Sequence, residues 1–429
     1  MPLLGKFGGI LTANPSNVEH MLKTNFENYP KGKGFISIME DFLGHGIFNS
    51  DGDLWRVQRK TASYEFNMRS LRNFIMDNVV NEISTRLFPV LEKASETQSL
   101  LDLQDVLERF AFDNICKVAF NIDPCCLGME NEVGAEFLQM FDNSALLIAG
   151  RFMHPIRHMW RVKKFLDVGS EKKLKKSIQA VHGFAEAIIK ARMEEKITKD
   201  DEDLLSRFIA NHENSTEFLR DVIMSFILAG RDTTSSALTS FFWLLSAYPH
   251  VLKNVIKEIR GIRTRSNKHN EHLFFTFEEL KEMHYLHAAI SEAMRLYPPV
   301  PIDTKRCLND DVLPDGTVVP KGWFITYHAY AMGRMESVWG TDCREFRPER
   351  WLENGEFRAE SPFKYPVFHG GPRLCLGKDM AYIQMKSIAA FVIERFVVDV
   401  QNRGRTPHHV VSLTLRMKGG LLVRLSQRK

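Results

Sequence analysis

Apolar positions along this chain recur mostly at helical spacing. Over 378–396, Met380, Ile383, Ile388, Phe391, Val392 and Phe396 fall largely on one helix face. Leu174, Ile178, Val181, Ala185, Ile188 and Met193 form a second such face, with Ser170 suited to its N-cap and Glu171 to its first turn. Residues 216–247 read as one long helix stopped by Pro249. The same spacing predicts helices over 71–92, 103–120 and 133–149. Asn14 or Ser16 can cap a short helix through Val18 and Leu22, after a strand over 10–12. Thr276-Phe277-Glu278-Glu279 has the capping-box pattern and opens a helix pair that ends at Tyr297, before Pro298 and Pro299.

Elsewhere the rhythm changes. The stretch 32–52 is glycine-rich and mixed with Phe35, Ile36, Ile38, Phe42, Leu43, Ile47 and Phe48, and reads as an apolar loop over a core or a pocket. Residues 150–162 read as a loop, and 335–365 as a long irregular segment. Leu313-Pro314-Asp315-Gly316 is a turn signal, followed by candidate strands over 317–319 and 323–327. Short strand-like runs return over 410–415 and 421–425. The pattern predicts a mainly α protein with small β-sheets, without internal repeats.

Composition adds bounds. With 429 residues, 44% hydrophobic and 26% charged, the chain has material for a large core and no low-complexity tract or linker, which favours one domain over 1–429. A net charge of +4 is too small to imply nucleic acid and permits a basic patch for an acidic protein or a membrane surface. The cluster Lys172, Lys173, Lys175 and Lys176 reads as the solvated side of its helix, or as a contact for lipid headgroups or an electron donor. Cys116, Cys125, Cys126, Cys307, Cys343 and Cys375 form no C-x-x-C, which suits a reducing compartment without zinc. The first residues show neither signal peptide nor anchor. The apolar window 222–248 is long enough for a bilayer, but Gly230-Arg231-Asp232-Thr233-Thr234-Ser235-Ser236 interrupts it, and polar groups there favour a buried helix.

Three constellations carry candidate chemistry. In Phe368-His369-Gly370-Gly371-Pro372-Arg373-Leu374-Cys375-Leu376-Gly377, one cysteine precedes a strong helix. A sulfur at a helix N-terminus faces free amides, a setting that lowers a thiol pKa. A single thiolate without a second ligand suits the axial position of a haem iron. Gly371 and Gly377 would let a flat macrocycle approach the backbone, and Arg373 could reach a propionate. The competing reading is an inert buried cysteine. The second constellation is Ala229-Gly230-Arg231-Asp232-Thr233-Thr234 inside the long helix. Glycine costs about 1 kcal/mol there relative to alanine, and a threonine hydroxyl can bond the i−4 carbonyl, so the helix can open locally. Phe226, Ala229, Thr233 and Ala237 share a face; a polar helix seam is the plainer account. The third is Glu292 with Arg295, and Arg350 in Phe346-Arg347-Pro348-Glu349-Arg350-Trp351, which by spacing alone is a surface pair. Trp55 and Arg59 stand at i and i+4, compatible with a cation–π contact. Rival motifs fail. No G-x-S-x-G or G-x-G-x-x-G occurs, and the run from Gly371 to Lys378 is one residue too long for a phosphate loop. Electrons would therefore come from another protein.

The cysteine loop, the Ala229–Thr234 stretch and the Glu292/Arg295/Arg350 set resemble the cytochrome P-450 family of haem-thiolate monooxygenases, in order and over nearly the whole chain. Asn25-Phe26-Glu27-Asn28-Tyr29-Pro30-Lys31-Gly32, Phe226 to Thr234 and Arg295-Leu296-Tyr297-Pro298-Pro299-Val300-Pro301 resemble plant fatty-acid ω-hydroxylases more closely. The resemblance implies haem b (iron protoporphyrin IX) between the long helix and the loop, with Cys375 as iron ligand. It implies that Trp55, Arg59, Arg306 and Arg373, with Phe368, Gly371 and Gly377, hold the haem. Thr233 would orient protons for oxygen activation and Asp232 relay them; Glu292, Arg295 and Arg350 would brace the loop. Phe226, Ala229, Pro301, Leu413 and the apolar loop 35–48 would line the substrate channel. The implied activity is ω-hydroxylation of fatty acids with dioxygen, using NADPH–cytochrome P-450 reductase. Jasmonoyl-amino acid conjugates are the nearest alternative substrate; an oxygen-independent rearrangement and a non-catalytic truncated helical protein are the rival functions. Family members sit on the cytosolic face of the endoplasmic reticulum membrane. By the same resemblance, members begin with an anchor, a proline-rich hinge and the first strands, which are missing from this chain, so the expectation is either a truncated chain or a form without its anchor.

Overall fold

Local signals set many of the element starts. The computed structural model describes residues 8–66, 69–128, 132–154, 156, 158–194, 203–210, 214–265, 274–401, 403–410 and 412–429. After strand β1 (Gly9–Thr12), Asn14 accepts from the Ser16 amide at 3.0 Å and caps a short helix, Pro15–Glu19. The stretch read as an apolar loop is instead helix α1 (Gly32–Leu43), followed by α2 (Gly52–Phe66). Burial of Met39, Phe42 and Leu43 outweighs the helix cost of Gly32 and Gly34. Helix α3 (Leu103–Phe120) has the expected bounds: Asp102 caps it through the Gln104 amide, and Asn121 ends it in the left-handed conformation. The run expected over 71–92 is divided into Arg69–Glu82, a π-turn Ile83–Leu87 and Phe88–Thr97, where Pro89 supplies no amide to the preceding turn.

Helix α4 (Glu132–Met153) runs past its expected end into the expected loop, and a second helix, Met159–Phe165, starts before that loop's expected end. Helix α5 (Gly169–Glu194) packs against α4, with Leu174 buried and the four neighbouring lysines exposed. The long central run consists of α6 (Thr216–Ile227), a π-turn (Leu228–Asp232) and α7 (Thr233–Ala247). The capping box at Thr276 and Glu279 forms as read, starting Phe277–Glu282, and α8 (His284–Leu296) follows. Helix α9 (Lys378–Arg395) lies behind the cysteine loop.

The sheets are small. β2 (Asp303–Arg306) and β3 (Phe324–Tyr327) are antiparallel, with Asp303 opposite Tyr327, and β3 also pairs with β1 in parallel. Near the C-terminus, β7 (Leu422–Gln427) lies between β4 (Phe396–Val400) and Leu101–Asp102, while β5 (His409–Val410) pairs with β6 (Arg416–Met417). Two apolar cores meet at the central run. Helix α6 belongs to a core with α3, α4 and α5; α7 belongs to another with α8 and α9. The π-turn sits at their join. Among the described residues no helix is long and apolar enough to cross a membrane, and the six cysteines are free.

Candidate active site

The expected opening of the long helix is a π-turn at Leu228–Asp232. Two contacts account for it. A side chain at Gly230 would come within 2.5 Å of Ile115 on α3, so glycine is required for the close approach. The Thr233 hydroxyl donates to the Ala229 carbonyl at 2.6 Å, and Ser235 donates to the Arg231 carbonyl at 2.8 Å, so side chains take up carbonyls of the widened turn.

Beneath the turn lies a cavity of about 1170 Å³, counting its open mouth. Ala229, Gly230, Thr233 and Ala237 line one side, and Phe368, Cys375, Gly377 and Met380 the other. Ile47, Phe48, Phe66, Ile115 and Phe226 add an apolar wall. Sequence elements more than 130 residues apart thus face each other across one space. The Cys375 amide donates to the Phe368 carbonyl at 2.9 Å and pins the loop. Burial pushes the Cys375 thiol up, against the pull of the Gly377 amide, Arg59 and Lys378. The amide pull expected at the helix start is present at Gly377, and burial outweighs it in the thiol without a metal. Gly377 lines the cavity, whereas Gly371 does not. Gly371 has φ +61°, and a side chain on it would overlap the Leu22 carbonyl, so its role is packing.

One edge of the cavity is rich in cations. Arg59 lines it and donates to the Leu374 carbonyl at 2.5 Å; among the described residues no carboxylate pairs with it. Arg373 donates to Asp51 at 2.9 Å and lies over the Trp55 ring at 4.4 Å. Behind them, Lys31 and Lys305 each meet a different oxygen of Asp303 at 2.7 Å. Burial pushes Lys305 down to about 7, while Lys305 and Lys31 hold the buried Asp303 well below the carboxylate range. The Tyr327 hydroxyl is 2.5 Å from His369 Nδ1, and burial pushes that imidazole down to about 4. Four cations therefore face two carboxylates, Asp51 and Asp303.

Arg306 stands elsewhere. Alternation along β2 buries Asp303 and Lys305 and turns Thr304 and Arg306 to the other face, where the guanidinium lies over Phe324 at 5.6 Å. The buried cation is its neighbour Lys305, one position from the residue that the resemblance implied. Pro301 and Leu413 are not among the lining residues either; Pro299 and Val300 are. Asp232 faces away from the cavity, toward a polar recess, and Arg231 donates to it at 2.9 Å. Burial pushes Asp232 up to about 6, with Arg231 pulling it back.

The third constellation comes together in the interior, with Glu292 and Arg295 fully buried and Arg350 half-buried at its edge. Glu292 is 0% exposed and accepts from Arg295 at 2.7 and 2.8 Å, from Arg350 at 2.8 Å, and from the Trp351 indole at 2.9 Å. Arg295 also donates to the Cys343 carbonyl at 2.6 Å, tying α8 to the irregular segment before the loop. Spacing alone read this set as a surface pair; only the fold desolvates it.

Comparison with known proteins agrees with this geometry. The cytochrome P-450 family model matches residues 5–422. Cytochrome P-450 CYP94D108 of Paris polyphylla is 53% identical, over 98% of this chain and 84% of its own length. Cytochrome P-450 94A1 of Vicia sativa is 46% identical, over 98% and 82%. Cytochrome P-450 94C1 of Arabidopsis thaliana is 49% identical, over 98% and 85%.

Proposed function

The chain belongs to the cytochrome P-450 family, and from that premise we propose that this monooxygenase hydroxylates the terminal carbon of fatty acids. Bound haem b supplies the redox iron that activates dioxygen and inserts one of its atoms into a C–H bond. The rest of the reading concerns the chain's own residues, as one catalytic domain over 1–429. Cys375 would be the iron ligand, and binding a cation there would relieve the desolvation that now raises its pKa. Arg59, Arg373, Lys305 and Lys31 would hold the two propionates, with Trp55 under Arg373. The charge balance of the site fits this group: the two cations in excess over Asp51 and Asp303 match two carboxylates. Thr233 would hold a proton toward the cavity, and Asp232, one residue back, would pass protons to it from the polar side. Glu292, Arg295 and Arg350 would keep the loop in place.

The observation that carries this reading is the cavity itself, with Cys375 on one wall and the Thr233 π-turn on the other. The apolar wall of Phe48, Phe66, Ile115 and Phe226 favours the hydrocarbon end of an acyl chain over the amide of a jasmonoyl-amino acid conjugate. Electrons would come from NADPH–cytochrome P-450 reductase. Family membership and the exposed Met153, Ile156, Val162, Phe165 and Leu166 support work at the cytosolic face of the endoplasmic reticulum membrane. Two measurements test the proposal. The reduced, carbon-monoxide-treated protein is expected to show the red-shifted Soret band of thiolate-ligated haem; its absence would reject the assignment. A turnover screen with a plant reductase is expected to give ω-hydroxy fatty acids. Turnover of jasmonoyl conjugates alone would move the substrate class and leave the chemistry standing.

A further inference from the structure

The π-turn is a wall between two spaces. Ala229, Gly230 and Thr233 look into the Cys375 cavity, whereas Asp232, Ser235 and Ser236 line a polar recess open to solvent. The other walls of the recess include Glu108 from α3, Asp142 from α4, and Thr414 and Arg416 at β6. Arg231 is 1% exposed and binds three carboxylates there: Asp142 at 2.8 Å, Asp232 at 2.9 Å and Glu108 at 3.3 Å. Arg416 binds Glu108 at 2.7 Å and also Asp142. Three carboxylates share two guanidiniums, so full ionisation would leave one uncompensated negative charge in a mostly buried cluster.

A retained proton removes that charge, and its place can be read from the contacts. Both arginines address Glu108 through Oε2; among the described residues no group donates to Oε1. Asp142 engages both arginines, and Asp232 pairs with Arg231. Burial is the main force raising Glu108, to about 8; Arg231 and Arg416 oppose it, and Asp142 and Asp232 add to it. Asp142 is held below its usual range by the two arginines despite its burial.

We propose that Glu108 is the proton store of this active site, holding one proton on Oε1 and delivering it through the recess to Asp232 for the Thr233 side of the π-turn. The proposal rests on the monooxygenase reading, in which two protons are consumed for each oxygen atom released as water. The Glu108 O–H bond breaks, the proton goes to the Asp232 carboxylate by way of solvent in the recess, and solvent reprotonates Glu108. The arginines position the acids and do not carry protons, since a guanidinium stays charged. The group acts through Asp232, so Glu108 is a positioning and supply residue.

Glu108→Gln tests this in three ways on the purified protein. In the infrared difference spectrum at pH 7, wild type minus variant is expected to contain a protonated-carboxyl band that disappears between pH 7 and 9. A carboxylate band instead would overturn the store. The second readout is stability against pH. A carboxyl whose folded pKa lies above its unfolded value leaves the folded state holding more protons between about 4.3 and 8, so wild type should lose stability relative to Glu108→Gln as pH rises through that window. A variant that is less stable at every pH, or fails to fold, would mean an ionised Glu108 and would also overturn it. Third, the share of electrons ending in product rather than peroxide is expected to fall on the order of tenfold in the variant, less than the ~10²–10⁴-fold typical of a direct acid. Its dependence on pH near 8 should vanish. Unchanged coupling with an unchanged pH profile would reject the supply role. A wild-type protein without any hydroxylated product would sink the functional reading instead, and the infrared and stability results would still decide where the proton sits.

Discussion

Two buried charge clusters flank the cavity, and they are unbalanced in opposite senses. Behind the π-turn, Glu108, Asp142 and Asp232 outnumber Arg231 and Arg416. At the loop edge, Arg59, Arg373, Lys31 and Lys305 outnumber Asp51 and Asp303. A buried excess charge is costly, so each cluster must find a partner. The acidic cluster can take a proton from solvent and become neutral alone. The cationic cluster cannot gain an anion that way except by losing protons, which is the direction in which burial pushes Lys305. The first imbalance suits proton supply and the second suits a ligand with carboxylates. The Glu292 cluster is the reference: inside the protein Glu292 and Asp342 meet Arg295 and Arg350, and the one further cation, Arg347, reaches Asp342 from solvent, where an unmatched charge costs little.

The largest expected effect breaks that reference. Glu292→Ala strands Arg295 in the interior, and removing one partner of a buried pair costs about 3–5 kcal/mol of folding stability. Denaturant unfolding measures it; a loss of about 0.5 kcal/mol, the range of a surface change, would contradict the structural role. Next comes the cationic edge. Hydrogen bonds to charged groups contribute about 1.5–3 kcal/mol, so Arg373→Ala is expected to weaken haem retention by roughly tenfold to a hundredfold. Haem transfer to excess apomyoglobin reads this directly, and an unchanged transfer rate would remove Arg373 from the propionate set. The smallest effect sharpens the contrast between the clusters. Folded Lys305 loses its proton near 7 and the unfolded residue near 10.4, so between these values the unfolded state binds more protons. Haem-free wild type should therefore gain stability relative to Lys305→Met as pH rises through that window. Bound haem should flatten the gain, because propionates favour the charged ammonium. Equal slopes with and without haem would show that Lys305 has no anionic partner.

Much of this site was legible because its signals are local. The Thr276–Glu279 box, the Asn14 cap and helix Leu103–Phe120 depend on residues within a turn or on one-face periodicity. The opening at Gly230 and Thr233 could be read from two residue types that weaken a helix. Other features left no local trace. Glycines at 32, 34 and 44 argued for a loop, and only the burial of Met39, Phe42 and Leu43 made 32–43 a helix. In Asp303-Thr304-Lys305-Arg306, the family resemblance pointed to Arg306, and strand alternation under β3 buried Lys305 instead.

The sequence by itself determined the parts: which residues form the cysteine loop, where the long helix weakens, and that Glu292, Arg295 and Arg350 follow one another at the right spacing. Their chemistry is carried by side chains and by neighbours within a few residues. The tertiary structure alone decided the balance of charge. Glu108, Arg231 and Arg416 are separated by 123 and 185 positions, and Lys31 meets Asp303 across 272. Whether a carboxyl keeps its proton or a lysine loses one depends on what other charges the fold buries beside it, because desolvation and Coulomb forces act through space and not along the chain.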